Sequence, residues 1–143
     1  QAALGVAQLE QLDEFIIKKR QIGAWYNNLL APFSEYLQLP LENTEYAENI
    51  YWVYGIVLKS NVKANAAQFM QELSKYKIGS RPFFYPMHQQ PVFEKMDFYK
   101  KQTLAVSEML GERGFYIPSG LGLTKDQAKE VANKLELILN GHI

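Results

Sequence analysis

The 143-residue sequence has no cysteine and two histidines, His88 and His142. Disulfides and thiolate metal sites are excluded, and only these two imidazoles remain as candidate metal ligands. Net charge is missing too: 15 basic residues balance 15 acidic ones. Such a chain has no electrostatic footprint for nucleic acid or for an anionic membrane, so neither is expected as a partner. No stretch approaches the roughly 18 to 20 consecutive apolar residues of a membrane span, and no charged segment leads into an apolar signal core. A cytoplasmic location is the expectation. Motifs that carry chemistry are also scarce: there is no phosphate-cradling glycine loop, no nucleophile elbow and no histidine pair at metal spacing.

What the chain does have is apolar content, 48% of residues, enough for one core. From Leu4 to Leu30 the apolar positions Leu9, Leu12, Phe15, Ile16, Ile22, Tyr26, Leu29 and Leu30 recur mostly at spacings of three and four. This predicts one amphipathic helix, with Glu14 and Lys18 as a surface pair and Pro32 and Pro40 closing it. Its first residues, Gln1-Ala2-Ala3-Leu4, read as helix interior without a cap or an initiating Met. Ile50–Leu58 is dense in β-branched and aromatic residues and reads as a buried strand, with Trp52 and Tyr54 in the core.

A helix over 64–76 follows, capped by Asn61 or Asn65 and ended near Gly79. The run 78–87 holds Pro82 and Pro86, which suit an edge strand or a shaped loop and exclude a central strand. A short helix over 103–112 is expected to stop at Gly114, before a strand at Phe115-Tyr116-Ile117. Thr124, with Gln127 three residues on, forms a capping box ahead of a last helix ended by Gly141. There is no repeat. The expected fold class is α/β in the broad sense, an α+β small domain whose small antiparallel sheet is flanked by helices.

One segment stands out as a binding element: Arg81-Pro82-Phe83-Phe84-Tyr85-Pro86-Met87-His88-Gln89-Gln90-Pro91. Prolines stiffen it, and Arg81, Tyr85 and His88 supply a planar cationic fork, a phenol and an imidazole. The bland alternative is a surface arginine and a structural histidine. Gly120-Leu121-Gly122 makes a turn before a helix N-terminus, which attracts anions without having to hold one. His142 lies in a tail and carries no expected role.

Four stretches in order, QAALGVAQLEQLDEFIIKKRQIGAWYNNLL, IYWVYGIVL, RPFFYPMHQQP and ERGFYIPSGLGLT, closely resemble the C-terminal third of the DegT/DnrJ/EryC1/StrS aminotransferases. The resemblance covers essentially the whole chain. RPFFYPMHQQP looks most like members that aminate carbon four of a GDP- or UDP-linked keto-deoxyhexose, such as perosamine synthases. It implies the C-terminal domain of a fold-type-I pyridoxal-phosphate enzyme, usually a homodimer, that moves an amino group from glutamate to a nucleotide-linked keto sugar.

Within that frame residues 1–143 form one unit: 1–34 a long helix leading from a large domain, 35–143 the small domain. The family's Schiff-base lysine, the aspartate facing the pyridinium nitrogen and the phosphate-binding set match positions upstream of this region. No catalytic or cofactor-binding residue is therefore assigned here, and the chain alone is expected to be inactive. Arg81, Tyr85 and His88 are carried over as substrate-binding candidates near the active-site mouth. Phe83-Phe84 stands where many members have Tyr-Pro, favouring an apolar wall over a tyrosine contact. Two other readings stay open: a stand-alone nucleotide-sugar-binding or regulatory module, and a parent that keeps the fold without the lysine, as a sensor or a dehydratase-like relative.

Overall fold

A computed structural model describes residues 1–99 and 102–141; His142 lies outside them. The elements run α1 (Ala2–Leu9), α2 (Leu12–Leu30), β1 (Leu37–Gln38), β2 (Tyr54–Leu58), α3 (Ala66–Lys75), β3 (Arg81–Pro82), α4 (Pro91–Lys95), α5 (Ala105–Arg113), β4 (Gly114–Ile117) and α6 (Lys125–Asn140). The four strands form one antiparallel sheet in the order β1-β2-β4-β3. This is the expected α+β arrangement. Pro82 sits on the outermost strand, where a missing N–H costs no ladder bond.

Strand alternation sorts the side chains of the two central strands. Tyr54, Ile56 and Leu58 of β2 and Phe115 and Ile117 of β4 are buried in the core. There they join Ile22, Tyr26 and Leu30 of α2, Phe69 and Leu73 of α3, and Ala128, Val131, Leu135 and Leu139 of α6. Ring contacts mark the join, with Tyr26 and Tyr54 centroids 4.8 Å apart and Phe69 and Phe115 centroids 5.5 Å apart. Full burial of each large apolar side chain is worth about 1.5–3 kcal/mol, so this face supplies most of the fold's stability. Both α3 and α6 begin with a complete capping box, Asn65 with Gln68 and Thr124 with Gln127, each pair satisfying two N–H groups reciprocally.

Four expectations are corrected. The single helix over Leu4–Leu30 is two helices, broken at Glu10 and Gln11, where Gln11 leaves helical geometry (φ −109°, ψ 6°). Residues 1–14 are exposed throughout, so apolar spacing there is not matched by a packing surface within the described residues. Lys18 does not reach for Glu14; its ammonium donates to Gln21 Oε1 at 3.4 Å and lies 4.6 Å from the Trp25 ring centre.

The strand at 50–58 starts only at Tyr54, because Tyr51 takes a left-handed φ of 51° that no strand tolerates. That kink lays the Tyr51 ring on α2 at Gly23, where a Cβ would fall 2.3 Å from the ring. It also turns Trp52 outward, 69% exposed, so Trp52 is not a core residue, whereas Tyr54 is. A polar seam closes the region. The Tyr54 hydroxyl donates to Asn27 Oδ1 (2.7 Å), Asn27 Nδ2 to the Tyr51 hydroxyl (2.9 Å), and the Tyr26 hydroxyl to the Pro118 carbonyl (2.7 Å). Burial pushes the Tyr26 and Tyr54 phenols well above their ordinary range.

Candidate functional site

The proline-rich segment after β3 is fastened to α5 and β4 in antiparallel order. Phe83 covers Gly114 and Gly55, at each of which a Cβ would come within 3 Å of its ring, and Phe83 N–H donates to the Gly114 carbonyl (3.2 Å). Pro86 is buried against Gly111, where a Cβ would lie 2.9 Å from the proline ring. His88 Nε2 then meets Glu108 Oε1 at 2.8 Å. Glu108 and Gly111 are three residues apart, so α5 presents both on one face. Between these anchors Phe84, Tyr85 and Met87 are exposed.

Beyond the segment, Pro91 starts the short helix α4, and Phe93, Phe98 and Tyr99 pack edge to face or tilted, with centroids 5.3–5.8 Å apart. Tyr99 also meets the His88 ring edge-on at 6.5 Å. Between this aromatic wall and the start of α5 lies a cavity of about 420 Å³, lined by Tyr85, His88, Gln89, Phe93, Glu94, Asp97, Tyr99, Gln102 and Glu108. It carries three carboxylates, and no lysine or arginine lines it among the described residues.

His88 is the histidine of the described chain, with a side chain only 3% exposed. A carboxylate accepts only, so Nε2 carries the proton shared with Glu108. Nδ1 is buried with no hydrogen-bond partner among the described residues. Glu108 Oε1 also accepts the Leu104 N–H at 2.9 Å, closing the first turn of its own helix where Leu104 has no capping side chain. The His88 hydrogen bond first, then the Leu104 N–H, hold the Glu108 carboxyl below its ordinary value.

Of the three residues singled out by sequence, Tyr85 and His88 share this cavity, whereas Arg81 is exposed on β3 and lines a separate depression with Ser80, Tyr116 and Ser119. Glu108, Glu94, Asp97, Phe93, Tyr99 and Gln102 were missed. The available signal was the Glu108/Gly111 spacing opposite the His88/Pro86 pair, which has meaning only once α5 is known to lie against the segment.

The chain matches the DegT/DnrJ/EryC1/StrS aminotransferase family over residues 1–136. It is 34% identical over 139 residues to a GDP-perosamine synthase of Vibrio cholerae, a match that spans 97% of this chain and 36% of that protein. Its fold superposes on Helicobacter pylori PseC, an aminotransferase involved in the biosynthesis of pseudoaminic acid, with a TM-score of 0.86 at 16% identity, covering 99% of this chain and 37% of that one. It also superposes on an E. coli GDP-4-keto-6-deoxy-D-mannose-3-dehydratase with bound hydrated PLP, at a TM-score of 0.71 and 18% identity over 93% of this chain and 34% of that one. The chain thus spans about a third of the length of these proteins.

Proposed function

The chain belongs to the DegT/DnrJ/EryC1/StrS aminotransferase family, and from that premise we propose that it is the small-domain part of an enzyme transferring an amino group from glutamate to a nucleotide-linked keto-deoxy sugar. The observation that carries this is the likeness to a GDP-perosamine synthase over 97% of the chain, together with a polar cavity built on the family-like RPFFYPMHQQP segment. In this reading residues 1–34 lead in from a large domain, residues 35–143 form the small domain, and the enzyme works as a cytoplasmic homodimer.

The residues present do not fit pyridoxal phosphate. The cavity is acidic, no described lysine lines it, and Lys19, whose ammonium burial disfavours, is committed to the Ser119 carbonyl at 2.5 Å. Cofactor chemistry is therefore assigned to the portion of the enzyme outside residues 1–143, and no step is routed through it here. Tyr85 and His88 contribute the wall that meets the sugar, with the exposed Tyr85 presenting its phenol. Arg81, the cationic member of the trio, is the candidate for the anionic part of the substrate.

In the complete gene product, Tyr85→Ala should raise the KM for the keto-sugar nucleotide about tenfold, the loss of one ordinary-to-strong hydrogen bond, and leave the KM for glutamate in place. Equal KM values for the sugar in variant and parent would remove the cavity from the reading.

A further inference from the structure

The histidine that marks this cavity has no free polar atom to offer a ligand. Its side chain is 3% exposed, Nε2 is taken by Glu108, and Nδ1 is buried. Glu108 is differently placed: its side chain is 31% exposed and lines the cavity. Its Oε1 is held by two donors, and Oε2 has no partner among the described residues. A carboxylate fixed at one oxygen by a backbone N–H and a buried imidazole presents the other oxygen in one orientation. That oxygen is acceptor-only and negative.

Building on the sugar-nucleotide reading above, we propose that Glu108 is the residue that binds the hydroxyl-bearing hexose portion of the substrate through its free carboxylate oxygen, and that His88 is a positioning residue that orients it. The surroundings agree. Glu94 and Asp97 make the cavity repel phosphate, and Phe93 and Tyr99 supply flat apolar walls against which a sugar ring can lie. The nucleotide's diphosphate is then held elsewhere. Glu108 lay outside the sequence-derived candidates because its partner is 20 positions away.

The test uses the isotope-labelled complete gene product, with GDP-mannose and GDP as probes and amide and carboxyl resonances as readout. Loss of a hydrogen bond to a charged acceptor predicts that Glu108→Gln weakens GDP-mannose binding about tenfold or more while GDP binding changes less than about twofold. His88→Leu should weaken GDP-mannose similarly and let the Glu108 carboxyl titrate nearer its ordinary value. His88→Gln, whose amide can still donate, should restore both. A merely structural histidine would not make affinity follow that carboxyl titration, with Tyr85, Glu94, Asp97 and Tyr99 followed as the other titrating groups facing it. If GDP-mannose moves the cavity resonances equally in Glu108→Gln and the parent chain, the assignment of Glu108 is wrong while the site stands. If GDP-mannose moves none of them, the sugar-nucleotide reading of the cavity fails, and the Glu108 assignment with it.

Discussion

Replacing Gly23 by alanine sets two elementary effects against each other. In the interior of a helix, Gly→Ala stabilises by about 1 kcal/mol through backbone entropy and propensity. At Gly23 the new Cβ would sit 2.3–2.6 Å from three ring carbons of Tyr51, including the one nearest the backbone, so the clash cannot be relieved by swinging the ring tip. Tyr51 is buried, carries a left-handed φ of 51°, and is tied to Asn27 at 2.9 Å. Overpacking of this kind costs about 1–3 kcal/mol, and losing the Tyr51 to Asn27 bond about 1 more.

The cost exceeds the gain, and the expected net loss is about 1–3 kcal/mol. For a chain of this size that is a fall of very roughly 3–10 °C in melting temperature. Gly5 provides the internal control: it lies in α1 with nothing within 4 Å of its Cβ position, so Gly5→Ala should be neutral or stabilising by up to about 1 kcal/mol. Urea denaturation of the two variants and the parent chain decides the matter. A Gly23→Ala protein as stable as the parent, or more so, would show that Tyr51 does not rest on α2.

Other expectations concern charges and phenols. Arg113 donates through Nε to the Leu58 carbonyl (2.7 Å) and through Nη2 to those of Lys59 (2.6 Å) and Val62 (2.7 Å); lysine cannot span three carbonyls, so Arg113→Lys should cost about 2–4 kcal/mol in chemical denaturation, and a loss under about 0.5 would contradict that role. Burial raises the Tyr26 and Tyr54 phenols above the ordinary 10.0. Their contribution to stability is intact below that value and is lost as pH climbs from it toward the folded value, so an ultraviolet titration should find both phenols still protonated above their ordinary value, and ionisation of both at that value would refute their burial. Glu108 has the opposite sign. Its folded carboxyl lies below 4.5, so its contribution is present above that pH and disappears as pH falls through the folded value. Glu108→Gln should flatten that part of the acid limb of a melting-temperature profile, and an unchanged limb would refute the tie to His88.

Much of the fold was legible because its signals are local. Thr124 with Gln127 and the Asn65 cap need only near neighbours, and both are present. Two prolines demoted 78–87 to an edge, where β3 lies. What failed was non-local. Trp52 has every property of a strand residue, yet Tyr51 turns the chain because its ring finds the notch at Gly23, 28 positions earlier, and periodicity cannot see that contact. Leu9 and Leu12 keep helical spacing with nothing among the described residues to pack on. At the site, sequence reached His88 and Tyr85 through an unusual proline-framed segment. It missed Glu108, which on α5 looks like any surface carboxylate until Pro86 on Gly111 brings His88 over it.

The central claim, that this chain belongs to an enzyme aminating a nucleotide-linked keto sugar, is tested most directly by the mass of the sugar product. The complete gene product, supplied with pyridoxal phosphate, glutamate and GDP-4-keto-6-deoxymannose, should convert the keto sugar to its amino sugar with formation of 2-oxoglutarate. A sugar that has instead lost a hydroxyl, or one that returns unchanged, would contradict the account.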